Sequence, residues 1–285
     1  MSVYTIKMSP QQIQALEERL AGSERRKAPP YASYQYRLTD CVITAYESGK
    51  VVFQGEGADL YAAPYLQQQK SAGSFPQAGS DEVGTGDYFG PVVVCAALVT
   101  AADLPLLQRL GVTDSKLLSD EAIRACAPKL SAALKYSVLI LDNDTYNRVH
   151  EDNNMVAIKC KLHNQAYVHL QRKAHKLPDA VIIDQFVQEK SYYRYLRDQP
   201  QVIRGIHFET KAESRYPAVA AASVIARYAF LQACDRMSER YGFAFPKGAG
   251  PAVDRAIVRF VQEHGQEELI HVAKLHFANT AKALK

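Results

Sequence analysis

The chain has 285 residues, 47% of them apolar and 22% charged, enough for one large or two smaller domains that each bury a core. Its formal net charge of +4 is too small to mark a polyanion-binding protein by bulk charge, so any such role has to be read from motifs. Five cysteines (Cys41, Cys95, Cys126, Cys160, Cys234), odd in number and never spaced C-x-x-C, exclude a disulfide framework and a zinc knuckle. No apolar run nears the roughly 18 residues of a bilayer span and no secretory leader is legible, so no membrane is expected and a reducing cytoplasm is the expected location.

Residues 3–7 read as a short strand. Ser9-Pro10 then opens a helix to about residue 21, with Ile13, Leu16 and Leu20 at helical spacing. The basic run Arg25, Arg26, Lys27 before Pro29-Pro30 reads as a solvated connection. Strand-like runs follow at 31–38, 41–46 and 50–54, the last two joined by the hairpin signal Ser48-Gly49, and a short helix spans 59–69 despite Pro64. These make a small α+β domain over residues 1–70 with one polar sheet face. On it Tyr34, Tyr36, Arg37 and Lys50 are candidates for base stacking and phosphate contacts; the plainer alternative pairs the tyrosines across strands and leaves the charges to keep an edge soluble. Residues 71–77, rich in small and turn-forming types, form a linker, and the second domain takes residues 78–285.

That domain opens on SDEVGTGDYFGP at 80–91, where the adjacent Asp81 and Glu82 precede Gly84, Gly86 and Gly90. Glycines next to carboxylates let backbone approach a charged ligand, as a metal site requires. Their spacing and the β-branched run after Pro91 do not fit a dinucleotide fingerprint, and the stretch reads as strand end, tight loop and return strand. Neighbours on a regular strand face opposite sides, so the two carboxylates converge only if the strand ends or bulges there.

Helices are expected at 101–110 and 119–134, with Lys116 in the polar loop between them, and a buried strand at 136–141. A long helix over 155–170 is capped near Asn153 or Asn154; Cys160 and His163, three apart on it, read as packing. A strand over 180–183 delivers Asp184 at its C-terminal end, where α/β sheets place their ligands. After a strand at 202–208, Lys211 and Glu213 precede an alanine-rich helix, Lys247 lies in the loop 241–250, and helices over 253–264 and 267–276 close the chain, with His276 and Asn279 structural or peripheral. The alternation argues a mixed sheet flanked by helices.

Asp-Glu-Val-Gly-Thr-Gly at 81–86, Asp-Ser-Lys at 114–116, Lys-Ala-Glu at 211–213 before the alanine-rich helix and Lys247-Gly248 stand in the order of the type 2 ribonuclease H motifs. The chain resembles that family in its ribonuclease HIII form, and residues 1–70, SGKVVFQGEGA at 48–58 above all, resemble one repeat of the TATA-box-binding-protein fold. The resemblance implies a ribonuclease H-like mixed sheet flanked by helices, an α/β catalytic domain, behind a small α+β TATA-box-binding-protein-like domain. It makes Asp81, Glu82, Asp184 and Glu213 the catalytic metal ligands, and Gly84, Thr85, Gly86, Lys116, Lys211 and Lys247 substrate contacts.

Four carboxylates cannot share one small site at neutral pH without cations, and an oxygen-only donor set favours magnesium or manganese. Two such ions roughly 3.5 to 4 Å apart would activate water and stabilise the leaving oxygen. The expected activity is endonucleolytic hydrolysis of the RNA strand of an RNA/DNA hybrid duplex, leaving 3′-hydroxyl and 5′-phosphate ends, by a monomer with no obligate protein partner. RNA would be selected through its 2′-hydroxyl. Ala249 stands where ribonuclease HII relatives carry a tyrosine, which speaks against cleavage at a lone ribonucleotide. A ribonuclease H-fold nuclease acting on DNA and a non-catalytic hybrid-binding module are the alternatives; a binder gains nothing by gathering carboxylates near a polyanion.

Overall fold

The computed structural model of the protein describes residues 2–8, 10–112 and 118–284, side chains at 11 and 67–73 excepted, so the expected phosphate contact Lys116 lies outside the described residues. The chain forms two units, Met1–Gly73 and Ser74–Lys285.

The first unit comprises β1 (Ser2–Lys7), α1 (Pro10–Leu20), β2 (Glu24–Arg26), β3 (Ala32–Arg37), β4 (Cys41–Tyr46), β5 (Lys50–Gly55) and α2 (Ala58–Gly73). Its antiparallel sheet runs β1-β5-β4-β3-β2. The basic run expected as a connection is partly strand: Glu24–Arg26 pairs with β3 and forms the sheet edge, a position that suits charged side chains.

Strand alternation decides which side chains of this sheet meet solvent. Tyr34 and Tyr36 pack with Leu16, Leu20, Ile43, Phe53 and Ala62 in the core between sheet and helices. Tyr34 is 1% exposed and its hydroxyl donates to the Ile13 carbonyl at 2.8 Å. The expected stacking role of Tyr34 and Tyr36 is thereby corrected, because residues one apart from Gln35 and Arg37 on a strand face the opposite side. Arg37 and Lys50 are exposed on the open face.

The second unit carries a five-stranded sheet ordered β10-β9-β6-β7-β8. In chain order its elements are β6 (Gln77–Val83), β7 (Val92–Val99), α3 (Leu104–Arg109), α4 (Asp120–Ala133), β8 (Lys135–Leu141), α5 (Asn143–His150), α6 (Met155–Ala174), β9 (Ala180–Asp184), α7 (Glu189–Tyr195), β10 (Ile206–Glu209), α8 (Pro217–Tyr241), α9 (Pro251–His264), α10 (Leu269–Val272) and α11 (Ala278–Ala283). With α2 running to Gly73 and β6 starting at Gln77, the connection expected over 71–77 is residues 74–76. β6 pairs antiparallel with β7 and parallel with β9, and β9 parallel with β10.

Two apolar layers cover this sheet. Val93, Cys95, Ala97 and Val99 of β7 pack with α4 and α8, while Val94 and Ala96 pack with α6 and α7. The alanine-rich α8 lies hard against β6 because Gly79 offers no side chain there: a Cβ would sit 2.3 Å from the Val219 backbone nitrogen. By length and mean hydropathy alone, 1.3, α8 could cross a bilayer, but Arg227 interrupts its apolar run and Ala218 to Ala222 are fully buried against the sheet.

The helix expected over 267–276 is only the single turn α10. The chain then leaves helical geometry because Ala273 bridges to Phe89 and the Lys274 N–H donates to the Tyr88 carbonyl at 2.9 Å. The C-terminal segment is thus strapped onto the glycine-rich loop.

Candidate active site

Asp81 and Asp184 follow directly on the last paired positions of two neighbouring parallel strands, Ser80 and Ile183. Both face α8: Asp81 accepts a hydrogen bond from Ser223 and feels the Asp184 charge, and Asp184 Oδ1 accepts the Ala212 N–H at 2.9 Å. That bond fixes a one-turn helix, Ala212–Ser214, which carries the buried Glu213 to the same end of the sheet. Lys211 enters the turn at a left-handed φ of 56° and is exposed, a conformation that costs a non-glycine residue energy and persists only where the surroundings hold it.

Burial first, then the Glu82 and Asp184 charges, push the Asp81 pKa up to about 8 against the lowering effect of the Ser223 bond. A carboxyl in a surplus of negative charge is what a hard divalent cation relieves, and the donors here are oxygen only. The residues therefore fit such an ion in chemistry.

Glu82 departs from expectation. β6 neither ends nor bulges at the pair: its register against β7 runs unbroken through Asp81↔Cys95, Glu82↔Val94 and Val83↔Val93. Glu82 therefore faces α6, where it pairs with Lys159 and receives His163 Nε2 at 2.9 Å. Burial would raise its pKa, but the His163 hydrogen bond and charge, with Lys159, hold it below the usual carboxylate range. Among the described residues no three His, Cys, Asp or Glu side chains stand together for one metal: the strand's pleat separates Glu82 from the other acids, and Asp81, Asp184 and Glu213 share one end of the sheet without closing on a common point.

His163, read from the sequence as packing, is fully buried and joined through Nδ1 to Ser80 Oγ at 2.7 Å. A lysine and a histidine four apart on one helix, at 159 and 163, were the available signal. Glu209, also unassigned in the sequence, lies in register with Asp184 but is held by Arg215 at 2.6 Å and His207 at 3.2 Å. Those partners neutralise it as a structural ion pair.

The Gly84-Thr85-Gly86 loop leaves β6 with Gly84 at φ 92°, where a Cβ would lie 2.2 Å from the Pro91 carbonyl oxygen. Gly86 is exposed and Thr85 partly so. The loop is tied to the 247–248 turn by the Gly248 N–H donating to Asp87 Oδ1 at 2.6 Å and the Tyr88 N–H to the Gly248 carbonyl at 2.8 Å. Beneath it the buried Lys274 donates to the Gly90 carbonyl, which also accepts Asn143 Nδ2 at 3.0 Å. Lys247 is half exposed and pairs with Asp120 at the α4 N-terminus, beside Arg227. Asn279, expected to be structural or peripheral, is structural: it is buried and donates to the Ala249 carbonyl at 3.0 Å.

Comparison with known proteins accords with this geometry. The ribonuclease HII family matches residues 78–280, and a family described only as a domain of unknown function matches residues 4–76. A ribonuclease HIII of Bacillus cereus is 43% identical over 96% of this chain and 95% of its own length. Among solved structures, Bst-RNase HIII in complex with Mn2+ superposes with a TM-score of 0.75 at 42% identity, over 99% of this chain and 98% of that one. Aquifex aeolicus RNase H3, at 22% identity over 95% of this chain and 99% of its own, shares the fold with a TM-score of 0.58.

Proposed function

The chain belongs to the ribonuclease HII family, and from that membership we propose that it is an endonuclease cutting the RNA strand of RNA/DNA hybrids, leaving 3′-hydroxyl and 5′-phosphate ends. The observation that carries this reading is the placement of Asp81, Asp184 and Glu213 at one end of the sheet, beside a glycine loop exposed at Gly86. Asp81, Glu82, Asp184 and Glu213 are the proposed metal ligands. Magnesium or manganese, when bound there, supplies a Lewis acid that activates water and stabilises the departing oxygen.

The chain's own residues bind and orient the duplex. Backbone of the Gly84-Thr85-Gly86 loop, exposed at Gly86 and partly so at Thr85, offers N–H and C=O groups to the 2′-hydroxyl and its phosphate, the marks of RNA. Lys211 and Lys247 bring positive charge to phosphates near the carboxylates, and Lys116 is proposed for the same role on its motif alone. The Lys247–Asp120 pair is exposed and therefore weak enough to yield to a phosphate.

The test compares cleavage of matched RNA/DNA, DNA/DNA and singly ribose-substituted DNA duplexes with either metal. The expected result is metal-dependent cutting of the hybrid, with the lone ribonucleotide cut poorly given Ala249. Cutting of all-DNA duplex would move the assignment to a DNA nuclease of the same fold, and hybrid binding without cutting would leave a binding module.

Arg37 and Lys50, exposed on the open sheet face of the first unit, are proposed as non-specific phosphate contacts. The double variant Arg37→Ala/Lys50→Ala is expected to weaken hybrid binding and to lower the slope of log affinity against log salt by about 1 for each phosphate no longer neutralised. An unaltered slope in a fluorescence-anisotropy titration removes that role. The five cysteines are all free, which fits the proposed cytoplasmic location.

A further inference from the structure

Glu82 already has a cation. Its Oε1 pairs with Lys159 and its Oε2 meets His163, so both oxygens are engaged on the α6 side of β6. Asp81, one residue earlier, faces Ser223 of α8 on the other side. For Glu82 to join the other carboxylates around a divalent ion, at least one of its two partners must let go.

The two partners differ in freedom. His163 is 0% exposed, held at Nδ1 by Ser80 and stacked on Phe186 at 5.1 Å between ring centroids. Ser80 in turn is hydrogen-bonded to Tyr167, itself fully buried. Lys159, one helical turn before His163, is 12% exposed in its side chain and reaches Glu82 on a flexible four-carbon stem. Its ammonium also lies 3.9 Å from the centroid of the Phe186 ring, two residues past Asp184. That aromatic face gives Lys159 a favourable place to stay once the ion pair opens.

We propose that Lys159 is a built-in counter-cation, holding Glu82 on the α6 side in the metal-free protein and competing with the divalent ion for it. His163 keeps the carboxylate oriented throughout. The proposal rests on the reading of Glu82 as a metal ligand. Linkage is reciprocal, so whatever Lys159 contributes to holding Glu82 is subtracted from metal affinity. Lys159 is accordingly a positioning residue that acts through Glu82.

The experiment is Mn2+ titration of the full chain without nucleic acid, read from the free-ion electron paramagnetic resonance signal. Wild type, Lys159→Met, Lys159→Arg, Glu82→Gln and the Glu82→Gln/Lys159→Met double variant are compared, each checked for cooperative melting, with Lys159→Gln replacing a Met variant that fails to fold. Removing the lysine charge is expected to tighten Mn2+ binding about tenfold, within the range of ordinary coupling free energies. Lys159→Arg should stay near wild type, and the gain should vanish in the Glu82→Gln background. Unchanged or weaker binding by Lys159→Met, with Glu82→Gln weakened, overturns the competition alone. Wild-type binding by Glu82→Gln overturns the ligand reading beneath it.

Discussion

Asp184→Asn is expected to lower single-turnover hydrolysis of an RNA/DNA hybrid by about a thousandfold, the scale seen when one preorganised electrostatic partner of a transition state is lost. The substitution keeps the shape of the side chain and leaves an oxygen able to accept the Ala212 N–H, so the turn that carries Glu213 stays in place. What it removes is one negative charge at the junction of β9 and β6, where a hard cation needs anionic oxygen. Far-ultraviolet circular dichroism should therefore match wild type while cleavage of an end-labelled duplex collapses. A variant retaining more than about a tenth of wild-type cleavage would show that Asp184 stands outside the reacting centre, since a tenfold change is only about 1.4 kcal/mol.

The second large effect concerns stability. Gly79→Ala would place a methyl group 2.3 Å from the Val219 nitrogen and 2.5 Å from the Ala218 carbonyl carbon. Both are backbone atoms of the first turn of α8, and no side-chain rotation relieves the clash. The helix has to move off β6, opening the layer formed by Ala218, Ala220, Ala221 and Ala222 against β7. The expected cost is about 3 kcal/mol, the upper end of ordinary overpacking. Urea unfolding should show a lower midpoint at unchanged slope. Activity in the fraction that remains folded should also fall, because α8 carries Ser223 against Asp81 and follows directly on Glu213. Gly86→Ala is the control: nothing lies within 4 Å of its added Cβ, so stability should hold within about 0.5 kcal/mol.

Most strands of both sheets were legible because alternation and β-branched runs are local properties. The run at 92–99, the end of β9 at Asp184 and the hairpin through Ser48-Gly49 all stand close to where the residues suggested. Short polar elements were not. The helices Asn143–His150 and Glu189–Tyr195 are short and polar, about two turns each, too brief for a periodicity to register, and the strand Glu24–Arg26 is made by pairing with β3 rather than by its own residues. Tyr34 shows the same limit on a single side chain: a tyrosine on a half-buried strand suits either face, and only the helices packed against the sheet decide that it is core.

By itself the sequence singled out the residues proposed to carry chemistry: an acidic pair before a glycine loop, a carboxylate closing an apolar strand, and Glu213 ahead of an alanine-rich helix. It also carried the warning that Asp81 and Glu82, as strand neighbours, face opposite ways. Only the tertiary structure decided what waits on each side, α8 with Ser223 for Asp81 and α6 with Lys159 and His163 for Glu82. The reason is physical. A pleat is set by the chain's own covalent geometry, whereas the side chain that meets each carboxylate comes from a helix distant in sequence, brought there by burial of apolar surface.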